Sequence, residues 1–115
     1  TAVGITLATR SQTRVLLGDL TMLHDASSLV IDPADGPLDI QLIVANDSGG
    51  SIFESLEMAQ LLDAKSFDRL FRTPQDVNFE HLAKAYGWQY VSVDTEAGLR
   101  AALDESGRVL IEVKL

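Results

Sequence analysis

The 115-residue chain contains no cysteine, so neither a disulfide nor a thiolate metal site is open to it. Basic residues are scarce: 9 Lys and Arg face 17 Asp and Glu, giving a formal net charge of −8. A surface that negative repels a phosphate backbone, which argues against nucleic acid as a partner. Any phosphate group held here needs a cation or backbone N–H groups to offset the repulsion. No apolar run approaches the roughly 20 residues that span a bilayer. No secretory leader pattern opens the chain, so a cytoplasmic protein without a membrane span is expected. The Walker-type phosphate loop and the dinucleotide pattern G-x-G-x-x-G are both absent. So are internal repeats, low-complexity tracts and domain boundaries. An initiator Met is missing too: Thr1 leads straight into "TAVGITLATR", and a piece of a longer chain is expected.

What is present is ordinary globular material, 46% hydrophobic and 23% charged, at a length suited to one domain with one core. Ala2–Arg10 reads as a small-residue helix with Val3, Leu7 and Ala8 on one face. "RVLLGD" (Arg14–Asp19) is a short apolar run stopped by Gly18-Asp19, the pattern of a strand buried on both faces. Leu20–Ile31 reads as a helix, weakened by Ser27-Ser28, and Asp32–Asp39 as a loop with two prolines and a glycine. "IQLIVA" (Ile40–Ala45) is a second apolar strand, ending at Asn46-Asp47. A helical pattern runs from Ile52 to Leu62 and continues less clearly through "DAKSFDRLF"; Pro74 blocks its extension. "FEHLAKAY" places Phe79, Leu82, Ala83 and Tyr86 at i, i+3, i+4 and i+7, with Gly87 as the stop. Trp88–Val93 is a β-rich run. Thr95 is an N-cap for a helix carrying Leu99, Ala102 and Leu103, which ends at Gly107. "RVLIEVKL" closes as a strand with Val109, Ile111, Val113 and Leu115 alternating. Strands alternating with helices predict an α/β fold with a mostly parallel sheet, whose ligands bind at the carboxyl ends of the strands.

Two of those carboxyl ends carry acids. Asp19 ends one strand and Asp47 follows the next, 28 positions later, one strand–helix–strand unit. Two carboxylates converging on one sheet edge suit Mg²⁺, which is typically held by one or two protein carboxylates, water and substrate phosphate. Gly49 and Gly50 let backbone approach a ligand closely. The predicted helix start at Ser51-Ile52-Phe53 offers free N–H groups and a positive dipole end to an anion. The same residues also read as ordinary architecture: an Asp before a helix is an N-cap, and "NDSGG" is a turn. A noncatalytic α/β interaction module in which both acids are only caps, or a general-acid pair, is equally compatible with residue types alone.

The motifs narrow this. A Gly-Asp pair at a strand end, followed about 27 residues later by Asn-Asn or Asn-Asp, is similar to the thiamine diphosphate motif. "GDLTMLHD", "NDSGGSIFESLE" and "FRTPQDVNFEHLAKAYGW" resemble the C-terminal cofactor domain of the 2-succinyl-5-enolpyruvyl-6-hydroxy-3-cyclohexene-1-carboxylate synthases of menaquinone biosynthesis, in their actinobacterial form, over nearly the whole chain. The resemblance implies a three-layer thiamine diphosphate-binding α/β fold with a mostly parallel sheet lacking its first strand. Residues 1–115 would then be a single partial domain, the C-terminal diphosphate domain of a longer enzyme.

By the same resemblance, Asp19, Asp47 and the Gly49 carbonyl bind Mg²⁺. Gly18, Leu20 and Thr21 line the cofactor, and Gly50, Ser51, Ile52 and Phe53 cradle the diphosphate or face the reacting centre. "GDL" in place of the usual "GDG" separates the chain from acetolactate synthase-like enzymes and argues against the alternative that keeps the cofactor and changes the substrate, another thiamine diphosphate-dependent 2-oxoacid decarboxylase. Asp47 stands where many relatives have Asn, and Ser48 where related decarboxylases have Asn or Asp. The implied reaction decarboxylates 2-oxoglutarate and adds the succinyl semialdehyde unit to isochorismate. No catalytic residue is implied within the chain, because the glutamate that activates the cofactor belongs to the N-terminal pyrimidine-binding domain of a partner subunit. The whole enzyme is then a homo-oligomer, a dimer or tetramer, and the isolated piece inactive.

Other chemistry-bearing residues are few. His24 lies five positions beyond Asp19, where a surface role and a place bordering the active site are both open; His81 sits partly exposed on a helix. Trp88 and Tyr90 share a strand face and read as packing residues. Phe67 and Phe71 read as core, and Phe53 as the exception that faces the site. Asp63, Asp68, Asp104 and Glu105 read as solvated surface.

Overall fold

The computed structural model describes the backbone of all 115 residues and every side chain except that of Met58. The regular elements are α1 (Ala2–Thr9), β1 (Thr13–Gly18), α2 (Asp19–His24), β2 (Ile40–Asn46), α3 (Met58–Leu61), α4 (Ala64–Phe67), α5 (Phe79–Ala85), β3 (Gln89–Val93), α6 (Glu96–Ala102) and β4 (Arg108–Lys114). All four strands are parallel, in the order β1-β2-β4-β3. The α/β class and parallel sheet expected from the alternating pattern are therefore present, in the three-layer form that the resemblance implies.

Two hydrophobic cores sit on opposite faces of the sheet. On one face Met22, Leu29, Phe79, Ala83 and Trp88 pack against Ile40, Val44 and Leu110, with Val3 and Leu7 of α1 at the margin. On the other, Ala102 and its neighbours Leu99 and Leu103 on α6 pack against Val109, Ile111 and Val93. Successive β4 residues thus feed alternate cores, as the pleat requires. The i, i+3, i+4, i+7 stripe of α5 lies on the first core as predicted, and the α6 stripe on the second. Asn78 caps α5 by accepting from the His81 N–H at 2.8 Å. Thr95 caps α6 by accepting from the Gly98 N–H at 3.2 Å. Gly87, at φ 74°, supplies the left-handed residue that ends α5.

Several local expectations are corrected. β1 is not buried on both faces: it is an edge strand, its burial alternates, and Leu16 is 75% exposed. The helix of the second face, α6, contacts β3 rather than β1, so the outer face of β1 is left uncovered. β4 does not alternate between core and solvent. Being interior to the sheet, it buries Val109, Leu110, Ile111 and Glu112 in a row. Leu115 lies beyond the strand and is exposed. Within α1, Ala8 is exposed and Thr6 takes the buried position; its hydroxyl donates to the Ala2 carbonyl at 3.1 Å and pairs with the Thr13 hydroxyl at 2.7 Å.

The predicted helix over Leu20–Ile31 is two pieces. α2 stops at His24, and a 3₁₀ turn over Ala26–Leu29 follows, its Leu29 carbonyl taking the Trp88 indole N–H at 2.9 Å. The helical pattern over Ile52–Leu62 is also broken, into a 3₁₀ turn at Ser51–Ser55 and α3, and its less clear continuation through "DAKSFDRLF" into α4 and a π turn at Asp68–Arg72. Helices this short draw their stability from tertiary packing. Here that packing is slight: Phe67 stacks on Phe71 at 5.7 Å, and Phe71 meets Phe53 edge-on at 6.1 Å.

Candidate functional site at the strand carboxyl ends

Parallel pairing brings the carboxyl ends of all four strands to one edge. The register sets Gly18 opposite Ala45, so the residues that follow, Asp19 and Asn46, emerge side by side. Here Gly18, Asp19, Leu20, Thr21, Asp47, Gly49, Gly50, Ser51, Ile52 and Phe53 line one groove of about 350 Å³, joined only by Ala45. Every residue singled out from the sequence as cofactor-binding or metal-ligating is therefore on the wall of a single depression. The structure brings together all ten.

Asp19 opens α2 and is 2% exposed. The Leu20 N–H donates to its Oδ1 at 2.7 Å, and the Gln75 side-chain amide donates to its Oδ2 at 2.9 Å. A carboxylate offers about four lone-pair positions, so both oxygens retain capacity for a cation. Asp47 accepts the Ser51 hydroxyl on Oδ2, which ties the turn to the start of the following 3₁₀ segment. Ser48 at φ 61° and Gly49 at φ 140° reverse the chain between them. Only glycine tolerates the latter conformation without strain. A Cβ at Gly49 would also lie 2.5 Å from the Arg72 carbonyl oxygen and 3.3 Å from Pro74 Cα. The Gly50 N–H donates to that same carbonyl at 2.7 Å. Of the donors expected free at Ser51-Ile52-Phe53, the Phe53 N–H is committed within the chain, to the Gly50 carbonyl at 3.1 Å.

The donor set has one chemical character. Two carboxylates and a backbone carbonyl are hard oxygen ligands, the kind Mg²⁺ and Ca²⁺ take, and no nitrogen or sulfur ligand intrudes. Among the described residues no cluster of three or more His, Cys, Asp or Glu side chains occurs. Ile52 and Phe53 give the groove an apolar wall, and both are exposed, at 76% and 38%. The residues present thus fit a magnesium–diphosphate group.

Two residues of this neighbourhood, Gln75 and Glu112, carry no mark in the sequence, whereas Asn46 stands in the Asn-Asp pair and Tyr90 reads there only as packing. Asn46, Gln75, Tyr90 and Glu112 form a polar cluster behind Asp19. Asn46 donates to Glu112 Oε1 at 2.6 Å, and the Tyr90 hydroxyl donates to Glu112 Oε2. Burial, reinforced by the adjacent carboxylate, pushes the Tyr90 hydroxyl up to about 12. Tyr90 is thus more than the packing residue its pattern implied, whereas Trp88 is buried as expected. No signal marks Gln75: it lies just after Pro74 in "FRTPQDV", a stretch with no helical or strand periodicity. His24 is exposed at the end of α2 and does not line the groove; His81 is exposed on α5. Asp63, expected to be plain surface, caps α4 through the Ser66 N–H at 3.0 Å. The hydrogen bonds from Ser66 hold its carboxyl below the usual range.

Comparison with known proteins follows the same line. Curated relatives include 2-succinyl-5-enolpyruvyl-6-hydroxy-3-cyclohexene-1-carboxylate synthases of Clavibacter michiganensis subsp. michiganensis (44% identical), Paenarthrobacter aurescens (42%) and Mycolicibacterium smegmatis (41%), matched over 100%, 100% and 99% of this chain. The chain spans only 21% of the length of each. Among solved structures, a thiamine diphosphate-dependent 4-hydroxybenzoylformate decarboxylase of Rhodococcus jostii RHA1 superposes with a TM-score of 0.73 at 23% identity, over 98% of this chain and 21% of that one. That likeness is one of fold. The model of the family described as "Thiamine pyrophosphate enzyme, C-terminal TPP binding domain" matches residues 1–113. The parallel sheet with two acids at its strand ends is thus the framework of a known cofactor domain, and the chain belongs to the C-terminal TPP-binding domain family of thiamine pyrophosphate enzymes.

Proposed function

We propose that Asp19, Asp47 and the Gly49 carbonyl hold Mg²⁺, and that the groove they share binds the diphosphate end of thiamine diphosphate. Gly18, Leu20 and Thr21 then border the cofactor, and the segment from Gly50 to Phe53 borders its phosphates or the reacting centre. The observation that carries this reading is the convergence of all ten residues on one groove with two carboxylates. A chain of net charge −8 needs the cation to hold a diphosphate against its own field. When bound, thiamine diphosphate supplies the carbon nucleophile and electron sink for 2-oxoacid chemistry. This chain's residues anchor and orient it.

The whole enzyme, on this reading, works in the cytoplasm as a synthase of menaquinone biosynthesis. It decarboxylates 2-oxoglutarate and joins the four-carbon unit to isochorismate. The names of relatives 39–44% identical favour this over other thiamine diphosphate enzymes. The remaining half of the cofactor site comes from the N-terminal pyrimidine-binding domain of a partner subunit in a homo-oligomer, which also brings the activating glutamate. Asp47→Ala in the full-length enzyme is expected to abolish Mg²⁺-dependent cofactor binding, measured by calorimetric titration. Unchanged cofactor affinity would overturn the assignment.

A further inference from the structure

Gln75 reaches into the site from a loop that neither acid belongs to. Its amide nitrogen lies 2.9 Å from Asp19 Oδ2 and 3.2 Å from Asn46 Oδ1, and its amide oxygen accepts the Val77 N–H at 2.7 Å. These partners fix the amide's orientation, because a backbone N–H can be met only by Oε1, which leaves Nε2 for Asp19 and Asn46. The other end of the cluster imposes the same polarity. Glu112, only 6% exposed, accepts from Asn46 Nδ2 at 2.6 Å and from the Tyr90 hydroxyl. Asn46 must therefore turn Oδ1 toward Gln75 and toward the Ser48 N–H, which donates to it at 3.0 Å. A carboxylate at each end and two amides between them allow one arrangement only. It runs from Tyr90 on β3 through Glu112 on β4 and Asn46 on β2 to Asp19 at the end of β1.

The backbone around Gln75 reinforces this. Arg72 accepts the Gly50 N–H at 2.7 Å, and Gly49 lies too close to Arg72 and Pro74 for any Cβ. The stretch from Arg72 to Gln75 thus fastens both strand-end turns, one through main chain and one through a side chain.

We propose that Gln75 is a positioning residue for Asp19. It touches neither metal nor cofactor, but holds the Asp19 carboxylate, with Leu20 N–H on Oδ1 and Gln75 on Oδ2, in the orientation that Mg²⁺ uses. This rests on the assignment of Asp19 as a metal ligand. Without the amide, a buried carboxylate oxygen loses its partner, and Mg²⁺ must order the side chain as it binds. Groups that orient a metal's ligands typically change its affinity by about 10–100-fold when removed.

The test uses the full-length enzyme. Gln75→Met keeps the length of the side chain and removes its N–H donors. Mg²⁺ affinity at saturating thiamine diphosphate is measured by calorimetric titration well below the melting temperature, alongside kcat at saturating Mg²⁺. The expected result is a loss of Mg²⁺ affinity of about 10–100-fold with kcat at saturation nearly preserved. Mg²⁺ affinity within about twofold of the parent overturns the proposal, whatever happens to the melting temperature. Asp19→Asn run in parallel separates the two levels. If it leaves Mg²⁺ affinity unchanged, the metal-site assignment itself falls, and the proposal with it. If it abolishes binding while Gln75→Met does not alter it, only the positioning role falls. Should Gln75→Met not fold, Gln75→Asn retains the amide one methylene short of Asp19 and is read by the same criterion.

Discussion

The β2–β4 pair and the 51–77 segment are both rich in large apolar residues and treat them in opposite ways. Ile40, Val44, Leu110 and Ile111 are at most 1% exposed, whereas Ile52, Leu61 and Leu70 are 63–76% exposed. The strands sit between two helical layers and have partners on both faces. Among its described residues, the 51–77 segment is held by its own aromatic trio and by polar ties such as the 3.0 Å Arg72–Glu54 ion pair, and exposed ion pairs of that kind contribute little. The candidate site is assembled across this divide: Asp19 and Asn46 come from strand ends of the sheet, Ser51–Phe53 and Gln75 from the segment. Its rigidity is inherited from one side and must be transmitted to the other through Gln75 and the Gly49–Arg72 contact.

Four perturbations break or sharpen that contrast, from the largest effect to the smallest. Leu110→Ala, in the middle of the sheet, is expected to cost about 2–5 kcal/mol by urea unfolding, the range for emptying a buried leucine site. Gly49→Ala places a methyl against the Arg72 carbonyl in a backbone conformation alanine resists, a strain of about 1–3 kcal/mol. Local separation of the 72–75 loop relieves it, so hydrogen exchange should accelerate at Gly50 and Thr73 while β4 amides stay protected.

Tyr90→Phe tests the polar cluster by pH. The hydroxyl is pushed up to about 12 in the folded chain, against about 10 when unfolded. Its contribution is complete below about pH 10 and is lost as pH rises through the folded value. The parent should therefore lose stability between those limits more steeply than Tyr90→Phe, as read by urea unfolding at stepped pH. The smallest effect is expected from Leu70→Ser, at a residue 63% exposed: within about 0.5 kcal/mol, despite the loss of a whole leucine side chain.

Legibility followed the same division. The α5 and α6 stripes and all four strands were readable, because period and capping residues act within a dozen positions. The groove residues were legible for a different reason: they follow strand ends, and parallel pairing leaves strand ends no choice of edge. The helical reading of Ile52–Leu62, carried less clearly through residue 71, rests on apolar spacing alone, and the structure breaks it into short turns in which Phe53, Phe67 and Phe71 pack on one another. β1 was misread as doubly buried because an apolar run carries no record of whether its strand lies inside the sheet or at its edge. The polar cluster was invisible. Tyr90 and Glu112 lie 22 positions apart, Gln75 and Asp19 56, and no local pattern links residues that distant.

By itself, the sequence determined the α/β class, the acids at two strand ends, the glycine turn after the second and the charge balance that calls for a cation, all consequences of local periodicity and composition. Only the tertiary structure decided which strands lie at the edge, how the 51–77 segment folds back, and that Gln75 meets Asp19. Those depend on contacts between residues far apart in the chain, and such contacts exist only once the sheet has closed.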